Sequence, residues 1–261
     1  MKITFLGVGS AFSKMNSRSN ILVESDKIKL LVDCGWTASS SILRYGLQLD
    51  EITHLFITHL HADHIGGMEE FCRVSLDKHH QTVFLSTATL EERIWDASLR
   101  NGLEYLDWNP ASEPKTLSSY LTTKHIQPEQ WFHPLAGDPL EMYLHKTRHV
   151  KNLESYSIEF RYTAGGKTRQ ALFSGDLKFN PELLEECADR CDWIFHDCQL
   201  FDTGENNYLG VHTSYNQLKK LPPHIRNKIW IYHYGDTSLP DAVKDGFQGF
   251  LPHLSQFILS P

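Results

Sequence analysis

The sequence predicts an α+β fold, a four-layer αββα sandwich of two sheets with helices outside, on three observations. Short β-rich runs cluster near the start of each half, strand and helix then alternate, and no linker or low-complexity tract divides the 261 residues. One domain over residues 1–261 is expected, long enough to bury a core without disulfides or other staples.

Residues 2–8, 20–25 and 27–33 read as strands of an antiparallel meander, the last two joined at a Ser-Asp turn. A helix is expected at about 39–45, then an apolar strand at 53–58, a His-rich loop and a helix from near His64. Strand 82–86 leads to an amphipathic helix at about 89–100, with Leu90, Ile94, Ala97 and Leu99 as inward positions. In the second half the pattern gives strands at 140–147, 155–162, 168–174, 193–196 and 228–233, helices near 181–190 and 214–221, and a terminal helix. Residues 101–139 form an irregular insert with Tyr105, Trp108, Tyr120, Trp131 and Phe132 set among prolines. Such a stretch either packs locally or acts as an active-site lid.

A formal charge of −7, with 25 Lys and Arg against 32 Asp and Glu, does not supply the basic surface that long nucleic acids require. No apolar run approaches the roughly 20 residues that span a bilayer, and the start reads as a strand rather than a signal peptide, so the expectation is a cytoplasmic protein without a membrane partner. The five cysteines, odd in number and irregularly spaced, fit reduced thiols. Cys187 and Cys191, four apart on an expected helix, have no second Cys or His pair at zinc-finger spacing.

Fifteen histidines are the compositional anomaly, and their arrangement carries the signal. Thr58-His59-Leu60-His61-Ala62-Asp63-His64-Ile65-Gly66-Gly67 places three imidazoles and a carboxylate within six residues at the end of an apolar strand. Imidazole and carboxylate are the ligand set of Zn²⁺ and its neighbours, and a strand-to-helix turn can aim alternate residues at two adjacent ions.

His-x-His-x-Asp-His after a hydrophobic strand resembles the signature of the metallo-β-lactamase superfamily, and the resemblance extends over nearly the whole chain. Val32-Asp33-Cys34-Gly35 is similar to the family turn whose carboxylate supports the ligand loop, so Asp33 is expected behind the ligands. Arg148-His149-Val150, Phe173-Ser174-Gly175-Asp176 and Ile231-Tyr232-His233-Tyr234 are similar to its later ligand motifs. The resemblance implies two divalent metal ions, with zinc the first choice and manganese the alternative. It puts His59, His61 and His149 on one, Asp63, His64 and His233 on the other, and Asp176 between them. His145 competes for the place of His149. The family's flavin-coupled redox branch has Glu where His61 stands, so hydrolysis is implied, with Asp63 part of the catalytic centre and a hydroxide activated by both ions.

His196-Asp197-Cys198 followed by Val211-His212-Thr213-Ser214 resembles the phosphodiesterase branch that includes the tRNA 3′-processing endonucleases. There the counterpart of His212 assists the leaving group and the counterpart of Asp197 orients it. The residues alone also allow His212 to be a helix-start residue and Asp197 a strand end. The tRNA enzymes carry an RNA-gripping arm, in many of them between the ligands corresponding to His149 and Asp176. Here that interval is 27 positions with a compact hairpin. The chain is thus similar to the compact cyclic-nucleotide phosphodiesterases, including the phage-encoded anti-Pycsar enzymes. That likeness implies opening of 3′,5′-cyclic mononucleotides to 5′-nucleotides, interference with cyclic-nucleotide immune signalling, a homodimer, and the host cytoplasm if the chain is phage-encoded. A tRNA endonuclease, or a lactone or thioester hydrolase, is the alternative. Ser17, Arg18 and Asn20 precede the second strand in a loop that lies near the active site in this branch, and are expected either to contact phosphate or to form an ordinary polar turn.

Overall fold

Alternation of apolar side chains along the strands decides the architecture, because successive residues of a strand face opposite sides of its sheet. The structure, a computed structural model, describes residues 1–76, 81–201 and 210–259. Strands β1 (Lys2–Gly7), β2 (Asn20–Glu24), β3 (Lys29–Val32), β4 (His54–Phe56), β5 (Val83–Ser86) and β6 (Thr122–His125) run in that order through the first sheet. The second sheet runs from β7 (Trp131–Phe132) through β8 (Leu140–Lys146), β9 (Tyr156–Ala164), β10 (Lys167–Phe173) and β11 (Trp193–Asp197) to β12 (Ile229–Tyr232) and β13 (Gly249–Phe250). A last strand, β14 (Gln256–Ile258), pairs antiparallel with β1.

Ile21 and Val23 of β2, Val32 of β3, and Ala171 and Phe173 of β10 meet in the core between the sheets. Their neighbours face away: Leu22 and Leu31 pack beneath α1 (Ala38–Tyr45) and α3 (Met68–Leu76), and Leu172, Ile194 and Ile231 beneath α6 (Pro181–Ala188) and α7 (Tyr215–Lys219). Three apolar layers therefore separate four layers of structure, which is the αββα sandwich.

Several expectations change. No helix follows β12 among the described residues; residues 234–259 instead turn repeatedly and add β13 and β14. Pro240 and Pro252 interrupt that segment, and Gly246 and Gly249 take φ of 91° and 138°, a region that L side chains rarely adopt. The helix expected at 89–100 is α4 (Ala88–Ile94) with a π turn at Trp95–Leu99 and then α5 (Arg100–Leu103). The wider turn shifts the helical phase, so Trp95 is buried and Ala97 exposed. Part of the 101–139 insert is regular: β6 and β7 extend one edge of each sheet. Tyr120 is buried there, donating its hydroxyl to the Leu103 carbonyl at 2.6 Å, and Trp131 lies 3.9 Å from the Arg161 guanidinium.

Helix α6 is tied to the second sheet by a buried charge. Glu159 on β9 accepts from Arg190 Nε and Nη2 at 2.8 and 2.9 Å, and lies 3.1 Å from His145 Nε2 on β8. Burial pushes the Glu159 carboxyl up, but His145 and Arg190 overcome this and bring it down to about 2. Burial lowers His145, yet hydrogen bonds to Cys187 and Glu159 lift it to about 9.

Two predictions follow from this packing. Phe173→Ala, which empties a site between the sheets, should cost about 3–5 kcal/mol in urea unfolding. The depressed Glu159 contributes stability above pH 4.5 that fades as pH falls toward 2. The elevated His145 contributes below pH 6.5 and fades as pH rises toward 9. A His145→Gln variant should therefore lose less stability than wild type between pH 6.5 and 9; parallel unfolding curves over that window would contradict the assignment.

Candidate active site

The first ligand loop is held by a carboxylate from the neighbouring strand. Asp33, just past β3, has φ 63° and is fully buried. It accepts from the Thr58 amide at 2.7 Å and the Thr58 hydroxyl at 2.9 Å, and lies 2.7 Å from His64 Nδ1. Gly35 lets the two loops touch, since a Cβ there would sit 2.0 Å from the Asp63 carbonyl. From this platform β4 runs out through Thr58 to His59 and His61, and the short helix α2 (Ala62–Ile65) presents Asp63 and His64.

The structure brings the loop to three further strand ends. His61 Nδ1 is 3.1 Å from both His59 Nε2 and His149 Nε2. Nitrogen ligands of one tetrahedral ion, with bonds of about 2.0–2.1 Å, stand about 3.3 Å apart. A second group unites Asp63, His64, Asp176 and His233. His64 Nε2 lies 3.3 Å from Asp63 Oδ2 and 3.1 Å from Asp176 Oδ2, and Asp176 Oδ2 is also 3.8 Å from His59 Nε2. Asp176 therefore faces both groups.

Hydrogen bonds behind the rings set which nitrogen each offers. Thr58 gives its hydroxyl proton to Asp33, so at 3.1 Å from His59 Nδ1 it accepts. Ser19 donates to the Gly9 carbonyl at 3.1 Å and so accepts from His233 Nδ1 at 3.0 Å. His149 Nδ1 donates to the Val211 carbonyl at 2.7 Å, and His64 Nδ1 to Asp33. Nδ1 of four rings is thus engaged behind the site, which leaves Nε2 for the ligand groups, the arrangement that metal-ligating histidines take. His233 Nε2 and Asp176 Oδ1 are buried without a hydrogen-bond partner among the described residues. These two orphaned atoms, the converging nitrogens and the donor set all fit divalent metal binding.

Charge agrees with geometry. Burial, with the neighbouring histidines, holds His59 well below its ordinary value and lowers His61 and, to about 4, His233; His149 is lowered chiefly by burial. These four rings are neutral, the ligating form. Burial disfavours the charge on Asp176, yet His233, His64 and His212 hold it well below the usual carboxylate range. His64 is raised well above its ordinary value by Asp176 and Asp33 against its burial. A proton there stands where a cation shared with Asp176 would stand.

Beside the two groups, His212 Nδ1 lies 3.0 Å from Asp197 Oδ2 and 3.8 Å from Asp176 Oδ2. Burial lowers His212, but Asp176 and Asp197 lift it to about 9, so the ring carries a proton at neutral pH. Asp197 is fully buried; its amide donates to Ser174 Oγ at 2.9 Å, and Tyr232 donates to the Gly175 carbonyl at 2.9 Å. Gly175 makes this turn at φ 59°, with the Tyr156 carbonyl 2.6 Å from where a Cβ would lie.

Other candidates land elsewhere. His145 pairs with Glu159 and Cys187 on the α6 side of the second sheet, so it is not the partner of His59 and His61. Ser17, Arg18 and Asn20 are buried, and their surroundings are architectural rather than open to a phosphate. Arg18 donates to the Ser13 carbonyl and lies 4.5 Å from the Trp36 ring. Asn20 donates to the Arg18 carbonyl at 2.6 Å and accepts from the Gly35 amide at 2.9 Å. Ser19, between them, is the member that reaches the site, and sequence reading missed it together with Ser174 and Tyr232. Their hydroxyls act on partners 23 to 214 residues away, which local pattern does not reveal.

A family model described as "Anti-Pycsar protein Apyc1" matches residues 1–257. The anti-Pycsar protein Apyc1 of Paenibacillus harenae is 36% identical over 256 residues, covering 97% of this chain and 95% of that protein. Its namesake from Bacillus phage 010DV004 is 33% identical over 265 residues, covering 99% and 98%. The metallo-β-lactamase fold protein YhfI from Bacillus subtilis superposes with a TM-score of 0.73 over 98% of this chain and 99% of its own, at 17% identity, a likeness of fold. The fold is the metallo-β-lactamase fold, and the chain belongs to the anti-Pycsar Apyc1 family.

Proposed function

We propose that the chain is a metal-dependent phosphodiesterase that opens 3′,5′-cyclic mononucleotides to 5′-nucleotides and so counters cyclic-nucleotide immune signalling. The observation that carries this reading is the His212–Asp197 pair, a fixed proton donor 3.8 Å from the carboxylate that faces both ligand groups. Bound at these groups, two divalent ions would polarise phosphoryl oxygens, lower the pKa of an attacking water and offset charge growing at phosphorus. His59, His61 and His149 would hold one, Asp63, His64 and His233 the other, with Asp176 between. Five imidazoles against two carboxylates favour zinc over manganese.

The chain's own residues do the rest. Asp197 fixes the tautomer of His212 by taking its Nδ1 proton in a hydrogen bond, leaving Nε2 for substrate. A water that has given up one proton to solvent adds to phosphorus, the P–O3′ bond breaks, and His212 donates its Nε2 proton to the departing 3′ oxygen. Cation charge at Asp176 would lower His212 from its metal-free value and ease that transfer. Between His149 and Asp176 the chain forms the β9–β10 hairpin inside the second sheet and no arm to grip RNA, which favours a small phosphodiester over tRNA. No helix among the described residues is long and apolar enough to cross a membrane. The reading includes a homodimer at work in the cytoplasm, that of the host if the gene is phage-borne.

Asp63→Ala should lower bound metal and cut ring opening of cyclic AMP and cyclic CMP by more than about 100-fold, read by elemental analysis and product chromatography. Intact cyclic nucleotides with metal-replete wild type, alongside cleavage of pre-tRNA, would contradict the proposal. His212→Ala should reduce kcat on cyclic nucleotides by about 10²–10⁴ but spare bis(p-nitrophenyl) phosphate, whose leaving group departs without a proton. Equal losses on both substrates would remove His212 from the leaving-group role.

A further inference from the structure

A cavity of about 500 Å³ opens directly from the site, with His212 and His233 on its inner wall. Its outer wall carries Phe12, Leu200 and Phe201. Phe12 is 88% and Phe201 68% exposed, so two benzyl groups stand in water at the mouth of one apolar cavity. No Asp, Glu, Lys or Arg lines it among the described residues.

The wall bearing Phe12 is fixed. Asp236 accepts from the Lys14 and Met15 amides and the Ser13 hydroxyl. Arg18 donates to the Ser13 carbonyl from the other side. The Ser10 amide donates to the Tyr234 carbonyl at 3.1 Å, and the Gly9 amide to the Ser17 carbonyl at 2.8 Å. An exposed Phe on so firmly tied a loop is presented rather than loose.

Gln199 supplies an independent observation. Its backbone is anchored on both sides, the amide to the Thr213 carbonyl at 2.9 Å and the carbonyl to the Tyr215 amide at 3.0 Å. The side chain lines the cavity and is 8% exposed, yet its Nε2 is buried with no hydrogen-bond partner among the described residues. A buried donor left unpaired is costly, and such an atom in a native protein calls for a partner, whether water, ion or ligand.

We propose that this cavity is the nucleobase subsite, in which Phe12 and Phe201 take the faces of the base and Gln199 Nε2 donates to its sugar-proximal edge. This rests on the phosphodiesterase reading above. Every base offers an acceptor at that edge, O2 in pyrimidines and N3 in purines, and every base has a π face. One amide donor with aromatic walls and, among the described residues, no charged side chain therefore binds all four bases and distinguishes none strongly. Position selects the ligand class: the cavity begins where His212 would meet the 3′ oxygen, so a nucleoside attached to that phosphate must extend into it.

The test is steady-state kinetics of the metal-loaded enzyme on cyclic AMP, cyclic CMP and a base-less ribose 3′,5′-cyclic phosphate. Wild type should show KM values for both nucleotides about 5- to 100-fold below that for the base-less ring. Phe12→Ala, Phe201→Ala and Gln199→Met should each raise KM for both nucleotides by several-fold, leave kcat within about twofold, and leave the base-less substrate unchanged. Phe12→Trp should retain wild-type KM. Unchanged nucleotide KM in all three variants, or a base-less substrate that binds wild type as well as the nucleotides do, overturns the subsite while the phosphodiesterase reading stands. Variants that lose activity equally on all three substrates also overturn it. A wild type inert toward every cyclic phosphate removes the phosphodiesterase reading and the subsite with it.

Discussion

A carboxylate with almost no water around it sets the terms for the rest of the structure. Asp176 is 1% exposed and is surrounded by His59, His64, His212 and His233. An ionised group in that position is severely penalised unless positive charge faces it. In the absence of cations His64 and His212 supply that charge by holding protons, most of all His64, which sits between two carboxylates. Cations at the same atoms would offset that charge without a protonated imidazole and would give Asp176 Oδ1 and His233 Nε2 a partner.

Everything that brings ligands to Asp176 is a strand end. The first sheet delivers His59 to His64 past β4, and the second delivers Asp176 past β10, Asp197 at the end of β11 and His233 past β12. Face-to-face packing of the two sheets aligns these ends along one edge of the sandwich. Where the chain leaves its strands, Asp33, Gly175 and His233 adopt φ of 63°, 59° and 60°, so three positions in the left-handed region surround the site. Backbone strain of this kind persists only where the surroundings over-determine it, and here each turn is held by hydrogen bonds to Thr58, Tyr232 or Ser19. The cleft inherits the rigidity of both sheets.

The legible parts of the sequence were those whose spacing is local. His59, His61, Asp63 and His64 lie within six residues after an apolar run, and the β-rich runs that became β8 and β9 are dense enough in strand-forming residues to be read locally. The unreadable parts were decided by partners far along the chain. Arg18 and Asn20 look like ligand-binding residues until Ser13, Gly35 and Trp36 are seen to use them. The expected terminal helix lost to an open edge at β1, which took residues 256–258 as a strand. Ala97 was misplaced by one π turn. Gln199, Phe12 and the Ser19 hydroxyl carry no motif, since their meaning comes from where the sheets bring them.

On the proposed reading, the buried carboxylate and its histidines hold two divalent ions. Anomalous diffraction from crystals grown with zinc, and separately with manganese, recorded on both sides of each absorption edge, measures this directly. Two peaks are predicted, one among His59, His61 and His149 and one among Asp63, His64 and His233, with Asp176 between them. A single peak, or peaks only at His145, Glu159 and Cys187, would contradict it.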